Sequence, residues 1–243
     1  MAVQIEMKCL NEIMKTKVIV TGDIHGNFSV LNNLINKKQP DVVICCGDFG
    51  YWPINDIFDT RPIKNKNTQI FWCPGNHENW DSLERRYGRH GRYPIEMPNT
   101  YRKEHHSNIF YCPIGSTLKL NGMNFLFVGG ADSIDKNQRI MGYDWFPQEI
   151  LNSADIDYVL ENKEKIDVVI SHTTPYSFDL LRTKRFDKMN DPSRHALSIL
   201  LEKLKPNFWF AGHWHYYINS YIGNCKWTIL DYPRHAMRWW IEF

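Results

Sequence analysis

Five times along this chain a short apolar run breaks off at a loop that carries aspartate, asparagine or histidine, and that repetition limits the possible fold more than any other feature. The runs are Lys17 to Thr21, Asp41 to Cys46, Thr68 to Cys73, Asp167 to Ser171 and Phe208 to Ala211. The loops that follow them read Gly22-Asp23-Ile24-His25-Gly26, Gly47-Asp48, Gly75-Asn76-His77-Glu78, Ser171-His172 and Gly212-His213-Trp214-His215. Apolar runs of this length closed by glycine or polar residues predict buried strands. Between the first two, Val30, Leu31, Leu34 and Ile35 recur at helical spacing, so residues 28–37 complete a strand, loop, helix, strand unit.

The rest of the chain extends this pattern. Apolar positions at Ile150, Leu151, Ile156, Val159 and Leu160 predict a helix over 148–165, and residues 193–204 repeat it; each leads into one of the five runs. Residues 109–120 and 124–128 read as hairpin strands about Asn121-Gly122, and residues 216–222 and 225–230 as a hairpin about Gly223-Asn224. Residues 237–243 read as a last strand, while 79–107 read as polar and irregular. Units of βαβ type at both ends, with antiparallel hairpins between and after them, predict an α/β fold. Its architecture is a four-layer α/β/β/α sandwich of two mixed β-sheets flanked by helices. Without repeats or linkers, residues 1–243 form a single domain. In such sheets ligands bind at the carboxyl ends of the strands, where these loops lie.

Composition excludes some functions. A net charge of +2 gives no field over the whole molecule to steer it onto nucleic acid or an anionic membrane, so any basic footprint is local. The six cysteines form no Cys-x-x-Cys pair and lie mostly in apolar runs, as reduced cysteines of a cytoplasmic protein do. Glu6 and Glu12 interrupt the N-terminal apolar residues, which argues against a secretory signal, and no apolar run approaches the roughly 18 residues that span a bilayer. A cytoplasmic chain without a membrane partner is expected. Its oligomeric state is left open.

One Asp-x-His after a strand is most simply a helix cap or a satisfied loop. Five such motifs at equivalent places, four of them with glycine adjacent, are a site. Asp23, His25, Asp48, Asn76, His172, His213 and His215 provide carboxylate, imidazole and amide donors without a thiolate. That set suits two divalent metal ions, with Mn²⁺ first and Fe, Zn²⁺ or Ni²⁺ as alternatives, rather than Ca²⁺. Closed structural zinc sites use four ligands, usually with thiolates; seven donors are enough for two ions that share one bridge.

The order Asp-x-His, Gly-Asp, Gly-Asn-His-Glu, His, Gly-His-x-His resembles the calcineurin-like metallophosphoesterase superfamily. The resemblance implies that Asp23, His25 and His215 bind one metal, that Asn76, His172 and His213 bind the other, and that Asp48 bridges them. It implies for His77, with Asn76 beside it, contact with the substrate phosphate and protonation of the leaving oxygen. Catalysis is then expected to rest on His77 and Asp48. The implied activity is hydrolysis of a phosphate mono- or diester, small or nucleotide-like, by a hydroxide held between the metals. Neutral ligands suit that chemistry, because all-carboxylate sites would cancel the charge that attracts phosphate. The chain departs from the protein phosphatases of that superfamily: Gly47-Asp48-Phe49-Gly50-Tyr51 runs on without the Asp-Arg-Gly that supplies a phosphate-binding arginine. Protein phosphatase activity is therefore disfavoured, and Glu78 or Asp81 are the candidates to orient His77.

Residues 85–106 concentrate arginines among histidines and tyrosines and are a candidate substrate-recognition insertion, with Arg89 and Arg92 as substrate-binding candidates for a nucleotide or nucleic acid. A second basic stretch runs from Arg182 to Arg194. Asp132 could line the cleft, though a turn role is simpler, and Trp214, between two candidate ligands, stands apart from the packing tryptophans. A nuclease of the same superfamily is the competing enzyme reading; a scaffold that has lost catalysis is disfavoured because all seven donors and His77 remain.

Overall fold

The computed structural model describes residues 15–243 except 55–56, 65–66, 99–107, 163, 181–190 and 236. The early strands are Val18–Thr21 (β1), Val42–Cys45 (β2), Gln69–Trp72 (β3), Ile95–Glu96 (β4) and Ile109–Tyr111 (β5). With the final strand Trp240–Glu242 (β12) they form one sheet of order β12-β1-β2-β3-β5-β4. Thr117–Leu120 (β6), Met123–Val128 (β7), Val168–Ser171 (β8), Phe208–Ala211 (β9), Ile218–Ile222 (β10) and Cys225–Ile229 (β11) form the other, ordered β10-β11-β9-β8-β7-β6. Each sheet has four parallel central strands closed by an antiparallel strand at either edge.

The strand alternation sorts side chains into three apolar layers. Val18, Val20, Val42, Ile44, Phe71, Phe127, Ile170 and Phe210 meet between the sheets. Ile19, Val43, Ile70 and Trp72 face the opposite way, onto Phe28–Lys38 (α1) and Trp80–Tyr87 (α2). Leu126, Val128, Val169 and Trp209 pack on Ser153–Leu160 (α3) and Pro192–Leu204 (α4). These are the four layers that the sequence predicts. Five cysteines, at 45, 46, 73, 112 and 225, are free and buried; Cys9 lies outside the described residues.

Four features correct the sequence reading. The run 109–120 is two strands in different sheets, because Pro113 lacks an N–H and Gly115 turns the chain at φ +89°, carrying it across the molecule. The helix expected over 148–165 is shorter: Pro147 opens a single 3₁₀ turn, Asn152 and Asp155 form a capping box, and α3 ends at Leu160. The stretch read as irregular contains α2, whose Asn79 caps Ser82 N–H and whose buried residues, Trp80, Ser82 and Leu83, make too thin an apolar stripe to register as a period. It also contains β4. Residues 99–106 of the candidate insertion, the N-terminal fourteen residues and most of 182–194 lie outside the described residues. Among the described residues no helix is long and apolar enough to cross a membrane.

Candidate metal centre and catalytic cleft

The register of each sheet brings its strand ends level. Thr21 pairs with Cys45 and Cys45 with Trp72, so the loops carrying Asp23, Asp48 and Asn76 leave one edge together. The facing sheet aligns β8 with β9 and delivers His172, His213 and His215 beside them. Backbone strain concentrates here. Seven described non-glycine residues have positive φ; Gln39 and Lys205 close helices and Asn121 sits in a hairpin turn, whereas His25, Asp48, His213 and His215 are four of the candidate ligands. A non-glycine residue in that region costs on the order of 1–3 kcal/mol, and such strain gathers where surrounding contacts impose it. Those contacts are present: Ile24 and His25 N–H donate to Asp48 O, His77 N–H to Asp48 Oδ1, and His213 N–H to both Asp23 carboxylate oxygens. The neighbouring glycines make room. A Cβ on Gly75 would stand 2.0 Å from Asp48 Oδ1, and one on Gly212 2.0 Å from Asp23 Oδ1.

The donor atoms meet in two groups joined by Asp48. Asp23, His25, Asp48 and His215 offer ligand atoms all within 4.8 Å of one another, with His215 Nε2 3.0 Å from Asp23 Oδ2 and 3.1 Å from His25 Nε2. Asn76 Oδ1 lies 2.9 Å from both His172 Nε2 and His213 Nδ1, and His172 Nε2 is 3.4 Å from Asp48 Oδ1. His172 Nδ1 donates to Cys46 O, which turns Nε2 toward the cluster, and Asn76 Nδ2 donates to Ser133 Oγ, which fixes its carbonyl inward. Asp23 and Asp48 are buried. Burial opposes the charge on Asp48, yet His172 and His77 hold its carboxyl well below the usual range. Burial likewise opposes charge on His172, but Asp48 and Asp23 outweigh it and push the imidazole up to about 10. Burial and the charge of His172 push His213 down. The mix of carboxylate, imidazole and amide oxygen fits a divalent ion.

His77 lies at the mouth, its ring 5.3 Å from that of His25 and its carbonyl accepting from Trp52 Nε1. Neither proposed carboxylate orients it. Glu78 is buried, accepts from Gly50 and Gly75 N–H, and is pushed up to about 8 by burial and by Asp48. Asp81 accepts from Gln148. The group at His77 Nε2 is instead Arg139, at 2.8 Å, which the sequence reading missed. Asp132 pairs with Lys136 at 2.7 Å, and the next residue, Ser133, is the one that steadies Asn76. The only available signal was Gly129-Gly130 after an apolar run, the same pattern that marks the ligand loops.

Arg89 and Arg92, the two arginines read from the sequence as substrate-binding candidates, do not join the cluster. Arg89 forks onto the Asp155 carboxylate at 2.6 Å and donates to Glu84, Gln148 O and Ile150 O; Arg92 donates to Tyr158 O and Glu161. Both are committed to α3 and its flanks. Arg194 is buried and donates to the carbonyls of Pro175 and Tyr176. Trp214 is buried at the cavity wall, its ring 5.1 Å from that of His213.

The family model for calcineurin-like phosphoesterases matches residues 16–217. Lariat debranching enzymes of Homo sapiens and Gallus gallus are 27% and 26% identical to this chain over 245 residues, covering 82% of it and 42% of their own length. That of Schizosaccharomyces pombe is 27% identical over 235 residues, covering 82% and 48%. The chain thus spans less than half the length of these relatives. A solved crystal structure aligns over 94% of this chain and 95% of its own at a TM-score of 0.52 and 13% identity, a likeness of fold.

Proposed function

The chain belongs to the calcineurin-like phosphoesterase family, and from that premise we propose that it hydrolyses a phosphodiester with two divalent ions held between its sheets. The observation that carries this reading is the meeting of donors from both sheets beside a cavity of about 220 Å³ walled by Asp48, Asn76, His77, His213 and His215. Asp23, His25 and His215 would hold one ion, Asn76, His172 and His213 the other, and Asp48 both; Mn²⁺ is the leading choice. When bound, such ions supply Lewis-acid charge to the phosphoryl oxygens and lower the pKa of attacking water.

The side chains do the rest. Backbone N–H groups of His77 and His213 hold the Asp48 and Asp23 carboxylates in place, so the donors are preorganised. Burial holds His77 below the ordinary imidazole range. An arriving phosphate anion favours its protonated form, so the proton for the leaving oxygen is taken up with the substrate. A nucleic-acid phosphodiester is the finer reading, because the curated relatives are lariat debranching enzymes and because Trp52, 42% exposed and bonded to His77 O, offers a face on which a base can stack.

Metal-stripped protein resupplied with Mn²⁺, Zn²⁺ or Mg²⁺ should turn over bis-p-nitrophenyl phosphate faster than p-nitrophenyl phosphate. An Asp48→Asn variant should lose at least about a hundredfold, since even groups behind a ligand are worth ten- to a hundredfold. Absence of turnover with every metal, although two ions bind per chain, would sink the proposal. A branched RNA oligonucleotide cleaved in preference to its linear counterpart would support the nucleic-acid reading, and equal rates would refute it.

A further inference from the structure

Among the described residues that wall the cavity, Arg139 is the one lysine or arginine. It comes from neither sheet. The segment between β7 and α3 carries it, directly after a single 3₁₀ turn at Lys136–Gln138. Its Nη2 lies 2.8 Å from His77 Nε2, and because a guanidinium only donates, the imidazole is the acceptor. The same Nη2 is 2.8 Å from Asp135 Oδ1, whereas Nη1 reaches Ser133 Oγ and Asp144 O only at 3.4 and 3.5 Å, long for hydrogen bonds.

Burial distinguishes this arginine from an ordinary surface ion pair. Its side chain is 8% exposed against 42% for Asp135, so the pair does not sit in solvent where such contacts contribute little. The guanidinium is instead drawn in against His77, which walls the cavity and is read above as the partner of the substrate phosphate. An arginine there carries a positive charge and a planar fork that matches two oxygens of a phosphate.

Resting on the phosphodiesterase reading above, we propose that Arg139 is a further catalytic residue, which binds a non-bridging oxygen of the substrate phosphoryl group beside His77. It supplies from the β7–α3 segment the cation that this chain lacks after Gly47-Asp48. Its weakly engaged Nη1 is the donor available to phosphate, while Asp135 holds the other nitrogen in position. Loss of the fork therefore removes an anion contact without removing a metal donor.

The test uses inorganic phosphate as probe. Calorimetric titration of the metal-loaded protein is compared among wild type, Arg139→Met and Arg139→Lys, with metal content per chain, melting temperature, and kcat and KM for bis-p-nitrophenyl phosphate measured on each. Arg139→Met should bind phosphate about tenfold more weakly or worse, the scale of one charged hydrogen bond, and Arg139→Lys should recover part of that loss, with both variants keeping the wild-type metal content. Phosphate affinity and kcat/KM within twofold of wild type in Arg139→Met would overturn the inference alone. So would a loss of affinity that merely follows a loss of metal, since Arg139 would then be a strut of the site. A wild type that neither retains metal nor turns over the diester would overturn the underlying functional reading as well.

Discussion

Glu149 is a buried carboxyl group placed by the fold rather than by any motif. One oxygen accepts from Ser133 N–H and Trp145 Nε1, while Oε2 is buried without a hydrogen-bond partner among the described residues. Burial pushes its pKa from 4.5 up to about 7. The folded chain therefore keeps a proton that the unfolded chain releases, so this contribution to stability is fully present below about 4.5 and is lost as the pH rises through 7. The shift corresponds to roughly 3 kcal/mol. A Glu149→Gln variant mimics the protonated form and preserves the acceptor for Ser133 and Trp145. Melting of the metal-free proteins between about pH 5 and pH 8 should show a fall for the wild type that is clearly reduced in the variant; parallel curves would refute the assignment. No motif around residue 149 marks this role, because Ser133, sixteen residues earlier, meets the carboxylate only when the chain folds back.

At the scale of elements, the Arg89 fork shows how a local charge pattern misleads. Arg85, Arg86, Arg89 and Arg92 form a basic patch in any short window, but Asp155 and Glu161, which Arg89 and Arg92 meet, lie more than sixty residues away on or beside α3. Asp155 is also the return partner of the α3 capping box and accepts from His90, so the contact ties the chain after α2 to the start of α3. Burial opposes ionisation of Asp155, yet Arg89 holds its carboxyl below the usual range. Removing one member of a buried pair strands the other. Arg89→Met should therefore cost about 3 kcal/mol in denaturant titration, while kcat/KM measured well below the melting temperature stays within about threefold of wild type. A variant of undiminished stability and much reduced turnover would return Arg89 to the substrate. The expected helix over 148–165 failed for a related reason: its periodicity was real, but Pro147 and Asn152 set a boundary that apolar spacing alone does not mark.

Across the whole molecule, two sheets of the same plan face one another over a shared apolar layer and meet at the site. Asp23, His25, Asp48 and Asn76 leave one sheet; His172, His213 and His215 leave the other. Ions held by both would cross-link the layers, since they bind the folded state alone. At a free metal concentration about a hundred times Kd this adds about 2.7 kcal/mol, or roughly 5–10 °C in melting temperature for a chain of this size. Calorimetry should show that fall on chelation in wild type and a much smaller one in Asp48→Asn; an identical response in the variant would contradict a shared ligand. The strands, their burial and the loops that bring seven candidate donors together were legible in the sequence because each is a local matter: apolar runs and glycine-bearing strand ends are read within a few neighbouring residues. Only the tertiary structure decided that Pro113 carries the chain from one sheet to the other, that Ser133 steadies Asn76, that Arg89 serves α3, and that Arg139 reaches His77 across sixty-two positions of sequence. Those outcomes depend on which distant surfaces meet when the two sheets close, and no short stretch of sequence carries that information.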